Sequence, residues 1–192
     1  MLKWPLGLGL LAVALFSQTA RAGETAFELA KEGNRYLGED SKDKVVQIRS
    51  EKSLGTLVPN VWYVSYYDPD APLNVAEVKF GGGKKMQVKR PGHILEPSLR
   101  AHRILDREKL KVDSDRAIEI AKNEPLIANL TLKATRLTLE RLAADDNSPV
   151  WKVRIWAAKL KNPNNNVDIG EIWLSAEDGR ILKNDLQPQR VD

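Results

Sequence analysis

The residues of this 192-residue chain that could do acid–base or nucleophilic chemistry are few, and their spacing suits it poorly. Two histidines occur, His93 and His102, with Ser98 between them. A Ser-His-Asp relay built there would lack the strained G-x-S-x-G turn that exposes a nucleophile. Nor do the histidines have the i, i+4 spacing of a zinc helix or the H-E-x-x-H motif. The chain has no cysteine, which removes disulfides, a thiol nucleophile and thiolate-held zinc. Asp68-Pro69-Asp70 and Asp145-Asp146-Asn147 offer oxygens to calcium, yet neither leads to the distal bidentate acid of a strong site. Gly81-Gly82-Gly83-Lys84-Lys85 lacks the G-x-x-x-x-G-K-S/T spacing and the following helix of a phosphate cradle. Turn chemistry accounts better for all three, so the expectation is a protein that is not an enzyme, with no catalytic residues, metal or cofactor.

Bulk composition points the same way. Lys3, the apolar run from Leu6 to Phe16 and then Ala20-Arg21-Ala22 have the pattern of a secretory signal cleaved after Ala22. The competing reading is an uncleaved anchor, although the run is shorter than the roughly 18 residues that span a bilayer. The expected protein is therefore periplasmic or secreted, with no stable membrane insertion after cleavage. Loss of Lys3 and Arg21 lowers the formal charge of +4 by two, so the pI near 9.2 overstates the basicity. Acids are interspersed with Lys and Arg throughout, which argues against nucleic acid as a partner.

The elements that would position any site are mostly strands, and they come in two similar runs. Ala26, Phe27, Leu29, Ala30, Tyr36 and Leu37 recur at helical spacing before Gly38, with Gly33 a weak point inside the helix. Strands are expected at Val45 to Arg49, Val61 to Tyr67, Val75 to Phe80 and Lys84 to Lys89, the last two joined by the glycine turn. Residues 91–111, with two prolines and both histidines, read as a linker. Beyond it, Asp113-Ser114-Asp115 caps a helix carrying Ala117, Ile118, Ile120 and Ala121, which Pro125 ends or kinks. Thr131 to Leu142 alternates like a strand, though its Leu, Lys, Arg and Glu also suit a helix. Val150 to Leu160, Ile169 to Ala176 and Arg180 to Lys183 complete the second run, the last two across an Asp178-Gly179 turn.

Val61-Trp62-Tyr63-Val64 and Val150-Trp151-Lys152-Val153 mark the two runs as similar. The second, with Ala117-Ile118-x-x-Ala121 and then Gly170-Glu171-Ile172-Trp173-Leu174-Ser175-Ala176-Glu177-Asp178-Gly179-Arg180-Ile181, resembles the PepSY domain. The first resembles it more weakly, with Gly81-Gly82-Gly83 in place of Asp-Gly. The fold class implied is α+β, two tandem modules at 23–90 and 112–188, each a helix packed on a small antiparallel β-sheet. The resemblance also implies an exported, non-catalytic binding protein that restrains an envelope or secreted peptidase. Tandem helix-and-sheet modules are similar, too, to β-lactamase-inhibitory proteins, whose joined sheets form a concave docking face. The alternative function is an envelope scaffolding or assembly protein that inhibits nothing.

Alternation along the strands says which side chains could dock a partner. Trp62, Val64 and Tyr66 with Ala76, Val78 and Phe80 form one inward set, and Trp151, Val153 and Ile155 with Ile172, Leu174 and Ala176 another. The opposite face then carries Tyr63, Tyr67, Lys152, Arg154, Trp156 and Trp173, among Glu77, Lys79 and Glu171. These six are the candidate binding residues, because Trp, Tyr and Arg most often carry interface energy. Packing of one module on the other, or a homodimer contact, is the competing use of the same aromatics.

Overall fold

In the computed structural model, residues 24–91, 104–142 and 147–192 are described. Helix α1 (Ala26–Gly33) precedes β1 (Val45–Ser50), β2 (Val61–Tyr67), β3 (Val75–Gly81) and β4 (Lys84–Lys89). Helix α2 (Ser114–Lys122) precedes β5 (Leu132–Arg141), β6 (Pro149–Ala158), β7 (Asn166–Ser175) and β8 (Ile181–Asn184). The ambiguous segment 131–142 is thus a strand.

Both helices start where their caps dictate. The Glu28 amide donates to Thr25 Oγ1 at 3.4 Å and the Thr25 amide to Glu28 Oε2 at 3.0 Å, a reciprocal capping box. Asp113 caps α2, its Oδ1 accepting from the Ser114 amide. Helix α1 stops at Gly33 and passes into a 3-10 turn, Asn34–Tyr36, short of the expected Gly38. A close approach sets the residue at this point: a Cβ on Gly33 would stand 2.0 Å from the Tyr66 hydroxyl, which donates to the Ala30 carbonyl at 2.6 Å. Only glycine fits there. Burial pushes the Tyr66 phenol well above its ordinary range, keeping it protonated as that donor.

The eight strands form one antiparallel sheet in the order β4-β3-β2-β1-β5-β6-β7-β8. Its register produces an apolar row that crosses every strand: Val88, Val78, Val64, Ile48, Leu139, Trp151, Leu174 and Ile181 are successive cross-strand partners. Both helices pack on this side, and their buried residues join those of all the central strands in one hydrophobic core. Phe27 of α1 stacks on Trp151 of β6, ring centroids 6.2 Å apart. The amides of Ala26 and Phe27 donate to Ser114 Oγ and to the Asp113 carboxylate, so the two helices begin against each other.

The halves meet at a seam between β1 and β5. Paired Cα positions there are Ile48 with Leu139 and Arg49 with Thr138. Side chains extend the join: Ser50 Oγ accepts from the Leu137 amide at 2.9 Å, Ser53 Oγ from the Thr135 amide at 2.9 Å, and the Ser53 amide donates to the Thr135 carbonyl. These serines do what a longer backbone ladder would, since each satisfies an amide buried at the centre of the sheet.

The expectation of two tandem modules, each a helix on its own small sheet, is therefore wrong. The class is α+β, but a single sheet and a single core run through both halves of the chain. A four-stranded sheet with so buried an edge strand does not stop there: Val45, Val46, Gln47 and Ile48 of β1 are all buried, β5 pairs with Ile48 and Arg49, and Gln47 Nε2 donates to Glu140 of β5. The described part of the expected linker also packs into the fold, for the Leu105 amide donates to the Val45 carbonyl and Leu105 is buried in the core.

Candidate functional site: the helix-free face of the sheet

One residue over from the apolar row, the same register builds a polar row on the opposite face. Gln87, Lys79, Tyr63, Arg49, Thr138, Lys152, Trp173 and Lys183 are successive partners across all eight strands. Because side chains alternate, the pattern that fills the core with valine and leucine places rings and cations here in turn. Arg49 lies 3.9 Å and Lys79 4.9 Å from the centroid of the Tyr63 ring. Lys152 and Lys183 lie 4.7 and 4.8 Å from that of Trp173. In an adjacent row Trp156 has Lys52 at 4.6 Å and Arg136 at 5.9 Å. Each ring is thus held between two cations, at distances where the negative face of the ring attracts them.

Carboxylates complete most of these assemblies. Arg49 pairs with Glu77 at 2.8 Å, Lys79 with Glu51 at 3.2 Å, Lys152 with Glu140 at 2.7 Å, and Lys183 with Asp185. Arg154 Nε faces Asp168 at 2.9 Å, and Trp173 Nε1 donates to Glu171 Oε1. The rings are kept upright and half-buried without a helix over them, a rigid aromatic surface that water still reaches.

Glu51 accepts from both the Tyr63 hydroxyl and Lys79 Nζ, and these hydrogen bonds, Tyr63's first, hold its carboxyl below the usual carboxylate range. A depressed folded value means that this knot contributes above the ordinary carboxylate pKa and is lost as pH falls through the folded one. Tyr63→Phe is expected to move the Glu51 titration back toward its ordinary midpoint, read from its side-chain carboxyl carbon shift. An unmoved midpoint would remove the hydroxyl as the cause.

All six candidate residues lie on this face, but the structure does not gather them into one spot. Lys152 and Trp173 touch, Arg154 neighbours Trp156 along β6, and Tyr63 stands across the seam on β2. Tyr67 stands apart on the same face: it packs with Val46, Val75 and Ile104 in a small separate apolar cluster, under Lys44. Arg49, Lys52 and Arg136 belong with the rings and were missed. Strand alternation would have found Arg49 and Arg136; Lys52, in the loop after β1, carries no such signal.

Asp68 is buried at a turn, accepting from the Asp70 amide and pairing with Arg90 Nε at 2.9 Å, so its oxygens are occupied. Among the described residues no cluster of His, Asp or Glu is placed to hold a metal, and no helix is long and apolar enough to cross a membrane. His93, Ser98, His102, Asp145, Asp146 and the expected signal lie outside the described residues. On the helix side lies a groove of about 350 Å³, lined by Phe27, Val45, Ile48 and Leu105 among others.

Comparison with family models, curated proteins and solved structures finds no match to this chain.

Proposed function

We propose that this is an exported, non-catalytic binding protein of PepSY-like character that restrains an envelope or secreted peptidase by docking it on the helix-free face. One observation supports the reading above others: the polar row across all eight strands of that face, which carries a ring or a cation on six of them. Antiparallel sheets often leave one face to water, but a solvated face is ordinarily mixed and polar. Here the half-buried residues include Tyr63, Trp156 and Trp173, rings with few rotamers to lose on binding. The restraint would be steric, with the rings supplying buried area and the charges around them setting orientation.

The test is the rate of proteolysis by secreted peptidases from the source cell, measured with the protein at stoichiometric amounts. The expected result is slowed proteolysis, and at least tenfold weaker restraint by the Trp156→Ala/Trp173→Ala double variant with its melting temperature unchanged. Full restraint by the folded double variant would move the docking site off this face. No restraint of any peptidase, with retention on envelope material, would leave the scaffolding alternative in its place.

A further inference from the structure

The three rings that each have two cations on the helix-free face differ in one respect. At Tyr63 both cations carry a carboxylate, Glu77 on Arg49 and Glu51 on Lys79. Trp173 likewise has Glu140 on Lys152 and Asp185 on Lys183. At Trp156 neither cation has one. Lys52 Nζ donates to the neutral amide oxygen of Asn166 at 2.7 Å, and Arg136, exposed, makes no ion pair among the described residues.

The backbone sharpens this. Arg136 on β5 is the direct cross-strand partner of Arg154 on β6, and like charges directly opposite are unfavourable without an anion. Asp168 faces Arg154 from the side of β7 and so serves only one of the two guanidinium groups. With Arg154 matched by Asp168, Lys52 and Arg136 leave an excess of positive charge around one half-buried indole.

Resting on the docking-face reading, we infer that Trp156 with Lys52 and Arg136 is a receptor for a carboxylate side chain of the partner protein, one aspartate or glutamate in an acidic segment. The incoming group completes at Trp156 the arrangement that Tyr63 and Trp173 already have within this chain. Arg136 offers a planar fork of donors to the carboxylate oxygens and Lys52 a point charge. The carboxylate is favoured over phosphate because each of the four cations at Tyr63 and Trp173 is matched by a single negative charge.

The Trp156 indole N–H signal in a nitrogen-15 correlation spectrum reports the event, assigned by its loss in Trp156→Phe. The probes are a blocked glycine-rich hexapeptide with two glutamates, its glutamine counterpart, and inorganic phosphate, at low ionic strength. The glutamate peptide is expected to bind at least fivefold more tightly than the glutamine peptide, with the difference shrinking as salt is added. Arg136→Gln and Lys52→Gln should each erase that preference, and Lys79→Gln, whose cation already has its acid, should leave it. Equal binding of the two peptides overturns the inference, as does tighter binding of phosphate, which would point to a phosphate ester. If the preference is missing while the Trp156→Ala/Trp173→Ala variant still fails to restrain the peptidase, the face docks through its rings and only the acidic receptor is lost.

Discussion

Gly170→Ala is expected to destabilise the protein by about 3 kcal/mol or more, well beyond an ordinary glycine substitution. Gly170 sits within β7 at φ +104°, in the left-handed region that residues with a Cβ rarely adopt. It faces Ile155 where the β6–β7 register shifts, with Asp168 Oδ1 accepting from its amide at 2.8 Å. A Cβ would stand 2.2 Å from the backbone carbonyl oxygen of Asp185. That carbonyl cannot swing aside freely, because the Asp185 and Gln187 amides donate to the Glu171 and Ile169 carbonyls and lay the C-terminal segment along β7. Alanine must therefore distort β7 or lift that segment. Gly38→Ala is the control: a Cβ there meets nothing within 4 Å, and the change should fall within about 0.5 kcal/mol of wild type. Denaturant unfolding of both variants decides it, and a Gly170→Ala protein as stable as Gly38→Ala would mean that the C-terminal segment does not pack there.

Trp151→Ala should cost about 3 to 5 kcal/mol, and should do so in both halves of the chain at once. Trp151 is fully buried, its Nε1 donates to the Val112 carbonyl at 2.8 Å, and its ring stacks on Phe27 of the other half. Alanine leaves a cavity beneath α1 and a carbonyl without its donor. With one core the expectation is a single unfolding transition at lower denaturant, and hydrogen exchange accelerated in β2 and β3 as well as in β6 and β7. Faster exchange confined to residues 112–188 would show that the halves are stable separately.

What the sequence revealed and what it hid have different physical origins. Strands β2 and β4 are legible at their ends because Val61 to Tyr67 and Lys84 to Lys89 are bounded by turn residues, and alternation correctly assigns Trp62 and Trp151 inward and Tyr63 and Trp173 outward. The union of the sheets was not legible, because nothing local to Val45–Ser50 names Leu132–Arg141 as its neighbour. A trace of it is present all the same: Val45-Val46 is apolar on both sides of the strand, as a central strand requires. The need for glycine at position 33 was hidden for the same reason, since the hydroxyl that Gly33 accommodates comes from Tyr66, far along the chain. Thr25-x-x-Glu28, by contrast, was a local signal of the helix start that went unread. At the candidate site the rings were visible and the cations over them only in part, because a strand's period places Arg49 and Arg136 but says nothing of where a loop lysine such as Lys52 will reach.

The seam also sets an order of assembly. Ile48 and Leu139, paired at the centre of the sheet, lie far apart in sequence, and closing so long a loop is entropically slow compared with forming the β2–β3 or β7–β8 hairpins. As the chain emerges from its N-terminus, β1 must hold an open edge and Phe27 an unstacked ring until β5 and β6 arrive. The N-terminal half therefore has no finished state of its own to fold into, and a chain cut short before Leu132 would carry its most buried strand as a free edge, ready to pair with another copy.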